Sequence, residues 1–392
     1  MCIRDRNKIY QLDNNQKNRI LHVIYTMEPG GIENWLMNLL RVFNRDLFQI
    51  DFLFHTTKAS AYDEEILDLG SNILRCPWPK RPLKYSRNLK KLIKKHGPYN
   101  VIHSHVHHFS GWVLRSAYQA GIPIRIAHSH SNITTLISQS NWIRKVYYIY
   151  MKHFVKRYAT VGIAASEQSA VSLFDHKWKT DQRWQVIPCG IDVDLFKEPV
   201  DQSAVRRKLG IPPESFVVGH VGRFSEEKNH LFIIDVFSEV IRKDPSVRLV
   251  LVGDGKHLPN IKKLSQKKGL NKKIIFTGSR NNVAELMLGA MDVFLFPSLW
   301  EGLGLALVEA QAAGIPCVLS EHIPYEADVL LPLINRLPLS ESVGKWAETI
   351  FDIRQMKKEK IISRKDSLQM VLNSSFNLEV GKLKLESIYK QK

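Results

Sequence analysis

Short unbroken apolar runs alternate along this chain with longer stretches whose apolar residues recur every three or four positions. Residues 20–27 (ILHVIYTM), 49–55 (QIDFLFH), 100–105 (NVIHSH), 124–130 (IRIAHSH) and 161–166 (VGIAAS) read as strands. The rhythm restarts with 216–222 (FVVGHVG), 247–253 (VRLVLVG), 273–278 (KIIFTG), 292–297 (DVFLFP) and 316–320 (PCVLS). Between them, 32–43, 110–121, 230–243 and 305–314 carry a helical period. Continuous Val/Ile/Leu runs mark strands buried on both faces, and intervening helices imply parallel pairing through right-handed crossovers. The pattern predicts an α/β protein of two Rossmann-like domains with mainly parallel sheets facing each other across a cleft. The first domain spans 19–195 and the second 196–374, with the boundary in the Pro/Gly-punctuated, then polar segment 187–202. Residues 375–392 read as a C-terminal helix packing back toward the first domain. Residues 1–18, polar and patternless, read as a disordered tail or extension.

Composition narrows the class. With 392 residues, 44% hydrophobic and 24% charged, the chain is long enough for two domains and rich enough in apolar residues to bury their cores. No stretch approaches 18 apolar residues, so no spanning helix is expected. The charged start (Met1 to Arg6) has no apolar h-region, so no secretory signal is expected. The four cysteines, Cys2, Cys76, Cys189 and Cys317, show no close pairing, which argues against a disulfide framework or a zinc site and suits a cytoplasmic protein.

The charge is unevenly placed. The net charge is +18, yet the 98 residues between Asp68 and Glu167 contain no acidic residue and 16 Lys or Arg. Two segments dominate, 84–95 (KYSRNLKKLIKK) and 142–158 (WIRKVYYIYMKHFVKRY). The second interleaves aromatics with cations at roughly helical spacing, as in a helix lying on an anionic membrane surface. A helix with its aromatics packed inside, or a nucleic-acid surface, are the alternatives.

Candidate chemistry lies at predicted strand ends, where open α/β sheets bind ligands. The first strand runs into Gly30, Gly31 and Glu33 before a helix. Paired glycines let backbone approach a ligand, and helix-start N–H groups favour an anion. This is neither G-x-G-x-x-G nor a P-loop. The first strand of the second domain leads to Gly222, Arg223, Phe224, Lys228 and Asn229. Arg223 offers a planar fork and Lys228 a point charge, a pair suited to a diphosphate. After 292–297 comes Trp300-Glu301-Gly302-Leu303-Gly304-Leu305, with Glu309 eight residues beyond Glu301. Gly302 and Gly304 leave helix-start N–H groups open, and a carboxylate such as Glu309 on an otherwise apolar helix needs a partner.

These elements, in this order, make the chain resemble the family-four (GT4) retaining glycosyltransferases of GT-B fold, most of all the bacterial enzymes of exopolysaccharide and capsule assembly. The E-x7-E motif matches Glu301 to Glu309, the GR-F-x3-KN element matches Gly222 to Asn229, and the GG-E loop matches Gly30, Gly31 and Glu33. The interdomain NGID element appears as Cys189-Gly190-Ile191-Asp192, with Cys in place of Asn. The resemblance implies that Arg223 and Lys228 bind the donor diphosphate, that Glu301 contacts the transferred sugar, and that Glu309 holds the ribose. It places Gly30, Gly31, Gly302, Leu303, Gly304 and Leu305 around the donor. It also implies a first-domain histidine at the donor sugar, for which His128 and His130 are candidates, His128 slightly favoured. The relatives' Gly-Gly-x-x-Glu stretch is replaced by Ser320 to Glu326 (SEHIPYE).

The implied reaction transfers a hexose or N-acetylhexosamine from a nucleotide-diphosphate sugar, a UDP-sugar first among the candidates, to a hydroxyl of a saccharide or polyprenyl-linked saccharide. The anomeric configuration is retained, and neither metal nor other cofactor is needed. The protein would sit on the inner face of the cell membrane and bind no nucleic acid. An epimerase of the same fold and a non-catalytic polyanion-binding protein are the alternatives. His103, His105, His107 and His108 resemble metal ligands, and strand alternation would put the first three on one face. The resemblance argues for sugar contacts instead. Asp192-Val193-Asp194 mimics a metal-binding DxD motif but lies in the linker and reads as a turn.

Overall fold

The computed structural model describes residues 17–77, 81–356 and 362–391. The expected tail therefore lies almost wholly outside the described residues. Its last residue instead opens the first strand, because Asn18 already pairs with Phe48.

The first sheet contains β1 (Asn18–Ile24), β2 (Phe48–Phe54), β3 (Ile73–Arg75), β4 (Val101–Ser104), β5 (Ile124–Ser129), β6 (Val161–Ala164) and β7 (Trp184–Val186). The second contains β8 (Val217–Val221), β9 (Arg248–Val252), β10 (Ile274–Gly278), β11 (Val293–Phe296), β12 (Cys317–Ser320) and β13 (Ile334–Leu337). All pairings within these sheets are parallel, in the orders β3-β2-β1-β4-β5-β6-β7 and β10-β9-β8-β11-β12-β13. Each sheet reverses its winding once, between β1 and β4 and between β8 and β11. Those switch points are where doubly wound sheets open a crevice for ligands.

Three of the four edge strands, β3, β7 and β13, escape the sequence pattern. They are three or four residues long and polar residues (Arg75, Gln185, Asn335, Arg336) interrupt them, so no unbroken apolar run marks them.

Period-two alternation partitions the first sheet between two cores. On β1, Ile20 and Ile24 face the core under helix Gly31–Val42, whereas Leu21 and Val23 face the opposite one. The intervening His22 shares the side of Ile20, and the registers β1–β4 and β4–β5 carry His103 and His128 to the same side. Helix Leu378–Tyr389 returns to this side. Tyr389 stacks on Phe43 and meets Phe48 edge-on. The linker is tied to that return, since Ile191 bridges Asn377. A Cβ on Gly190 would fall 2.6 Å from Leu378 Cα, so only glycine fits the crossing.

Candidate active site

Four strand ends deliver the candidate residues. Beyond β8 the chain passes Gly222 and Arg223 and then places Asn229 in the left-handed region (φ 53°), at the start of helix His230–Lys243. Asn229 Nδ2 donates to Pro297 O at 3.1 Å, and Leu299 N donates to Glu227 O at 2.8 Å, which ties this turn to the loop after β11. Through that tie Lys228 Nζ reaches Glu301 Oε1 at 2.5 Å, with both side chains largely buried. The ammonium also lies 4.9 Å from the Phe296 ring.

Glu301, Gly302 and buried Leu303 lead to Gly304, whose φ of +88° requires glycine, and then to helix Leu305–Ala312. Glu309 lies on this helix. Burial pushes its carboxyl up to about 7, against the pull of the nearby Lys228 ammonium.

Arg223 is exposed and faces the first domain. A Cβ on Gly30 would fall 2.4 Å from Glu33 Oε2 and 2.5 Å from Arg223 Nη2. Gly30 thus leaves room for a carboxylate from one lobe and a guanidinium from the other. Burial raises the Glu33 pKa, opposed by its own backbone N–H and by Arg223. Gly31 has open space where a side chain would stand. The two lobes also meet at Gly302. Its carbonyl accepts from Ser166 Oγ at 2.8 Å and Ser169 Oγ at 3.2 Å, and a Cβ there would fall 1.8 Å from His130 O.

The structure therefore gathers Arg223, Lys228, Glu301, Glu309, Gly30, Gly302 and the backbone of His130 along one interlobe seam. It also adds a residue that sequence reasoning left aside. Glu326, in the loop replacing the relatives' Gly-Gly-x-x-Glu, accepts from Glu167 N at 2.8 Å, at the start of helix Glu167–Phe174. Its carboxylate bridges the lobes at a helix N-terminus, where the dipole favours it. Sequence distance hid this contact.

The histidines are arranged differently from the expectation. β4 ends at Ser104, so alternation stops and His107 turns away. With φ 47°, His107 begins a 3-10 turn, pairs Nδ1 with His108 Nδ1 at 2.6 Å and sets Nε2 3.0 Å from Ser131 O. His22, His128 and His130 from neighbouring strands join His103 and His105 instead. Burial depresses all five pKa values, that of His130 to about 3, and keeps the rings neutral at pH 7.

His22, His103 and His105, or His105, His128 and His130, have nitrogens within 4.8 Å of one another. Yet the closest pairs stand at 2.8 and 3.0 Å, the spacing of N–H···N bonds. Tetrahedral zinc with bonds of about 2.0–2.1 Å needs ligand nitrogens roughly 3.3 Å apart. Hydrogen bonding accounts for these contacts as they stand.

His130 lies at the strand end with its carbonyl against Gly302, while His128 is fully buried one step deeper and stacks on it at 3.8 Å. Asp192 Oδ1 accepts from Asp194 N at 3.1 Å and caps the short helix Val193–Phe196. This makes the DVD sequence a capped turn. Cys76, Cys189 and Cys317 are free and buried.

Helix Trp142–Tyr158 buries only Met151 and Val155. Trp142, Val146, Ile149 and Tyr150, at i, i+4, i+7 and i+8, are exposed, Trp142 by 74%. Its far side packs on helix Ser110–Gln119, which also contacts the basic helix Pro82–His96.

Comparison with known proteins agrees with this architecture. Residues 29–195 match the family described as Glycosyltransferase Family 4, and residues 201–361 match Glycosyl transferases group 1. The putative glycosyltransferase EpsF of Bacillus subtilis is 36% identical over 341 residues, covering 86% of this chain and 88% of that protein. The UDP-Gal:alpha-D-GlcNAc-diphosphoundecaprenol alpha-1,3-galactosyltransferase of Escherichia coli is 26% identical, with coverage of 78% and 79%. Among solved structures, Anabaena Alr3699/HepE in complex with UDP and glucose superposes with a TM-score of 0.77 at 19% identity, covering 95% of this chain and 99% of that one. Two parallel sheets with this topology are the GT-B fold, and the family matches make the chain a glycosyltransferase. The chain belongs to glycosyltransferase family 4.

Proposed function

We propose that the protein transfers a hexose or N-acetylhexosamine from a UDP-sugar to a hydroxyl of a lipid-linked saccharide, with retention at the anomeric carbon, in exopolysaccharide or capsule synthesis. The observation that carries this reading is the joining of Arg223, the Lys228–Glu301 pair and Glu309 at the β8/β11 switch point, facing Gly30 and His130. Arg223 and Lys228 neutralise charge that grows on the departing diphosphate. Glu309 accepts from the ribose hydroxyls, Glu301 holds the sugar, and the helix-start amides after Gly304 add further donors. His130 is the histidine turned toward the donor sugar, and it presents its backbone carbonyl at the seam, since its ring nitrogens are taken by His105 and Cys189; His128 lies beneath it. No metal is required, because these cations supply the positive charge. The E. coli relative acts with UDP-Gal on a diphosphoundecaprenol-linked sugar, which supports the choice of donor and acceptor class.

The acceptor side fits an anionic membrane. The exposed apolar row on helix Trp142–Tyr158 lies beside the basic, acid-free surface of the first domain, a combination that seats a helix in a lipid headgroup region. No helix among the described residues is long and apolar enough to cross a membrane, so this reading is of a surface contact on the cytoplasmic face.

A panel of UDP-, GDP- and ADP-sugars tests the donor. A UDP-sugar raises the melting midpoint, and with an undecaprenyl-diphosphate-linked acceptor it yields UDP and an axial or equatorial linkage matching the donor. No stabilisation by any nucleotide sugar, or UDP release with no transfer, refutes the reading. Flotation with anionic vesicles at low salt tests the surface contact, which an unbound protein would disprove.

A further inference from the structure

The buried histidines form two separate files, and one of them ends on His130. His22 Nδ1 meets His105 Nε2 at 2.8 Å, His105 Nδ1 meets His130 Nε2 at 2.8 Å, and His130 Nδ1 meets Cys189 Sγ at 3.5 Å. The other file runs from Tyr389 through His103 to His128, whose Nε2 has no partner among the described residues. His130 is therefore engaged at both ring nitrogens, from β4 on one side and from the interlobe linker on the other.

A neutral imidazole has one N–H and one bare nitrogen. In a file of neutral rings each donates on one side and accepts on the other, so the first choice of tautomer propagates to the last ring. The Cys189 thiol, held protonated by burial, closes the file. Cys189 stands where the resembling family carries Asn, and it is the atom of the linker that reaches the His130 ring.

We propose that His105 and Cys189 are positioning residues for His130. They clamp its ring from both nitrogens and so hold its tautomer and its carbonyl in place against Gly302, beside Glu301. The inference rests on the reading of His130 as the histidine facing the donor sugar. Neither His105 nor Cys189 touches substrate. Donor grip belongs to the second lobe, so a loosened His130 slows transfer without weakening donor binding.

The test compares the full-length wild type with His105→Leu, His105→Asn and Cys189→Ala. Asn places a polar atom near the position of Nδ1 and keeps the bond toward His130. The His105→Leu variant loses tenfold or more in kcat while donor KM and UDP affinity stay within twofold, and His105→Asn recovers most of the loss. Cys189→Ala loses threefold or more in kcat. A folded His105→Leu or Cys189→Ala enzyme with kcat within twofold of wild type overturns the proposal, as does an equal loss in UDP affinity and kcat. If His105→Leu fails to fold, Cys189→Ala decides alone.

Histidine-selective 15N spectra give a readout apart from turnover. His130 shows one tautomer in the wild type and averaged shifts in Cys189→Ala. Averaged shifts in the wild type overturn the proposal. A wild type that transfers no sugar but keeps a single His130 tautomer refutes the functional reading instead.

Discussion

Lys228 Nζ and Glu301 Oε1 stand 2.5 Å apart at the switch point of the second sheet, so the lysine proposed to clamp the donor diphosphate is already ion-paired within the protein. On that proposal an incoming diphosphate should compete with Glu301 for one ammonium. Glu301→Gln removes the competitor. UDP alone should then bind tighter by roughly three- to tenfold, the net worth of an ordinary hydrogen bond, while transfer should fall because the proposed sugar contact is lost. Calorimetry with UDP and a turnover assay check the two opposite signs. Weaker UDP binding in Glu301→Gln would contradict the competition.

Removing the cations acts in one direction only. Arg223→Ala and Lys228→Ala should each lower kcat/KM by about a hundredfold or more, as expected when a preorganised charge on the leaving group is lost. Lys228→Ala should also melt at a lower temperature, since it strands the largely buried Glu301 carboxylate. Arg223 is exposed, so Arg223→Ala should melt like the wild type.

Gly302 offers a steric probe of the seam. A methyl group there would lie 1.8 Å from His130 O, a backbone atom that cannot swing aside. Gly302→Ala should abolish most transfer while each lobe keeps its fold. Circular dichroism close to wild type with turnover down at least tenfold is the expected pair of results. Gly344→Ala, whose new methyl would meet only Ser342 Oγ at 3.7 Å, is the control for loss of a glycine as such.

The proposed role of Glu309 at the ribose predicts that donor binding depends on pH. Its carboxyl is raised to about 7, so it is largely protonated at pH 6 and ionised at pH 8. Both ribose hydroxyls donate best to the carboxylate. Donor affinity should therefore rise by about tenfold from pH 6 to pH 8, the linkage expected for one proton released on binding. Glu309→Gln should flatten that profile and bind donor weakly throughout. The same raised pKa lowers folding stability as pH climbs from the unfolded carboxyl value toward 7.

The histidines act in the opposite direction. The pKa values of His22, His55 and His130 are depressed to about 3 by burial, from 6.5 when exposed. Below pH 6.5 the unfolded chain binds protons that the folded chain refuses, so stability is full above 6.5 and is lost as pH falls toward 3. Each such ring contributes a slope of about 1.4 kcal/mol per pH unit in that window. The melting midpoint should drop steeply between pH 6 and pH 4, and a flat midpoint would show the rings already charged or exposed.

Much of this was legible in the chain itself. Runs such as VRLVLVG and DVFLFP announced buried parallel strands, because burial on both faces removes alternation. The Gly-punctuated strand ends marked where backbone must approach a ligand. The short strands β3, β7 and β13 were not legible, since a polar residue breaks each apolar run (Arg75, Gln185, Asn335 and Arg336). His107 misled because alternation persists only while the strand does, and β4 ends at Ser104.

The order of residues by itself determined the two α/β lobes, the strand ends that carry Arg223, Lys228, Glu301 and Glu309, and the one-sided placement of positive charge. Each follows from local rules, in which side-chain period and turn chemistry act over a few residues. Tertiary structure alone decided that Lys228 meets Glu301, that Glu33 and Arg223 face each other over Gly30, that Glu326 reaches across to Glu167, and that His130 is held between His105 and Cys189. Those contacts join positions tens to hundreds of residues apart. They arise only when two sheets, each wound from its own switch point, bring their crevices together.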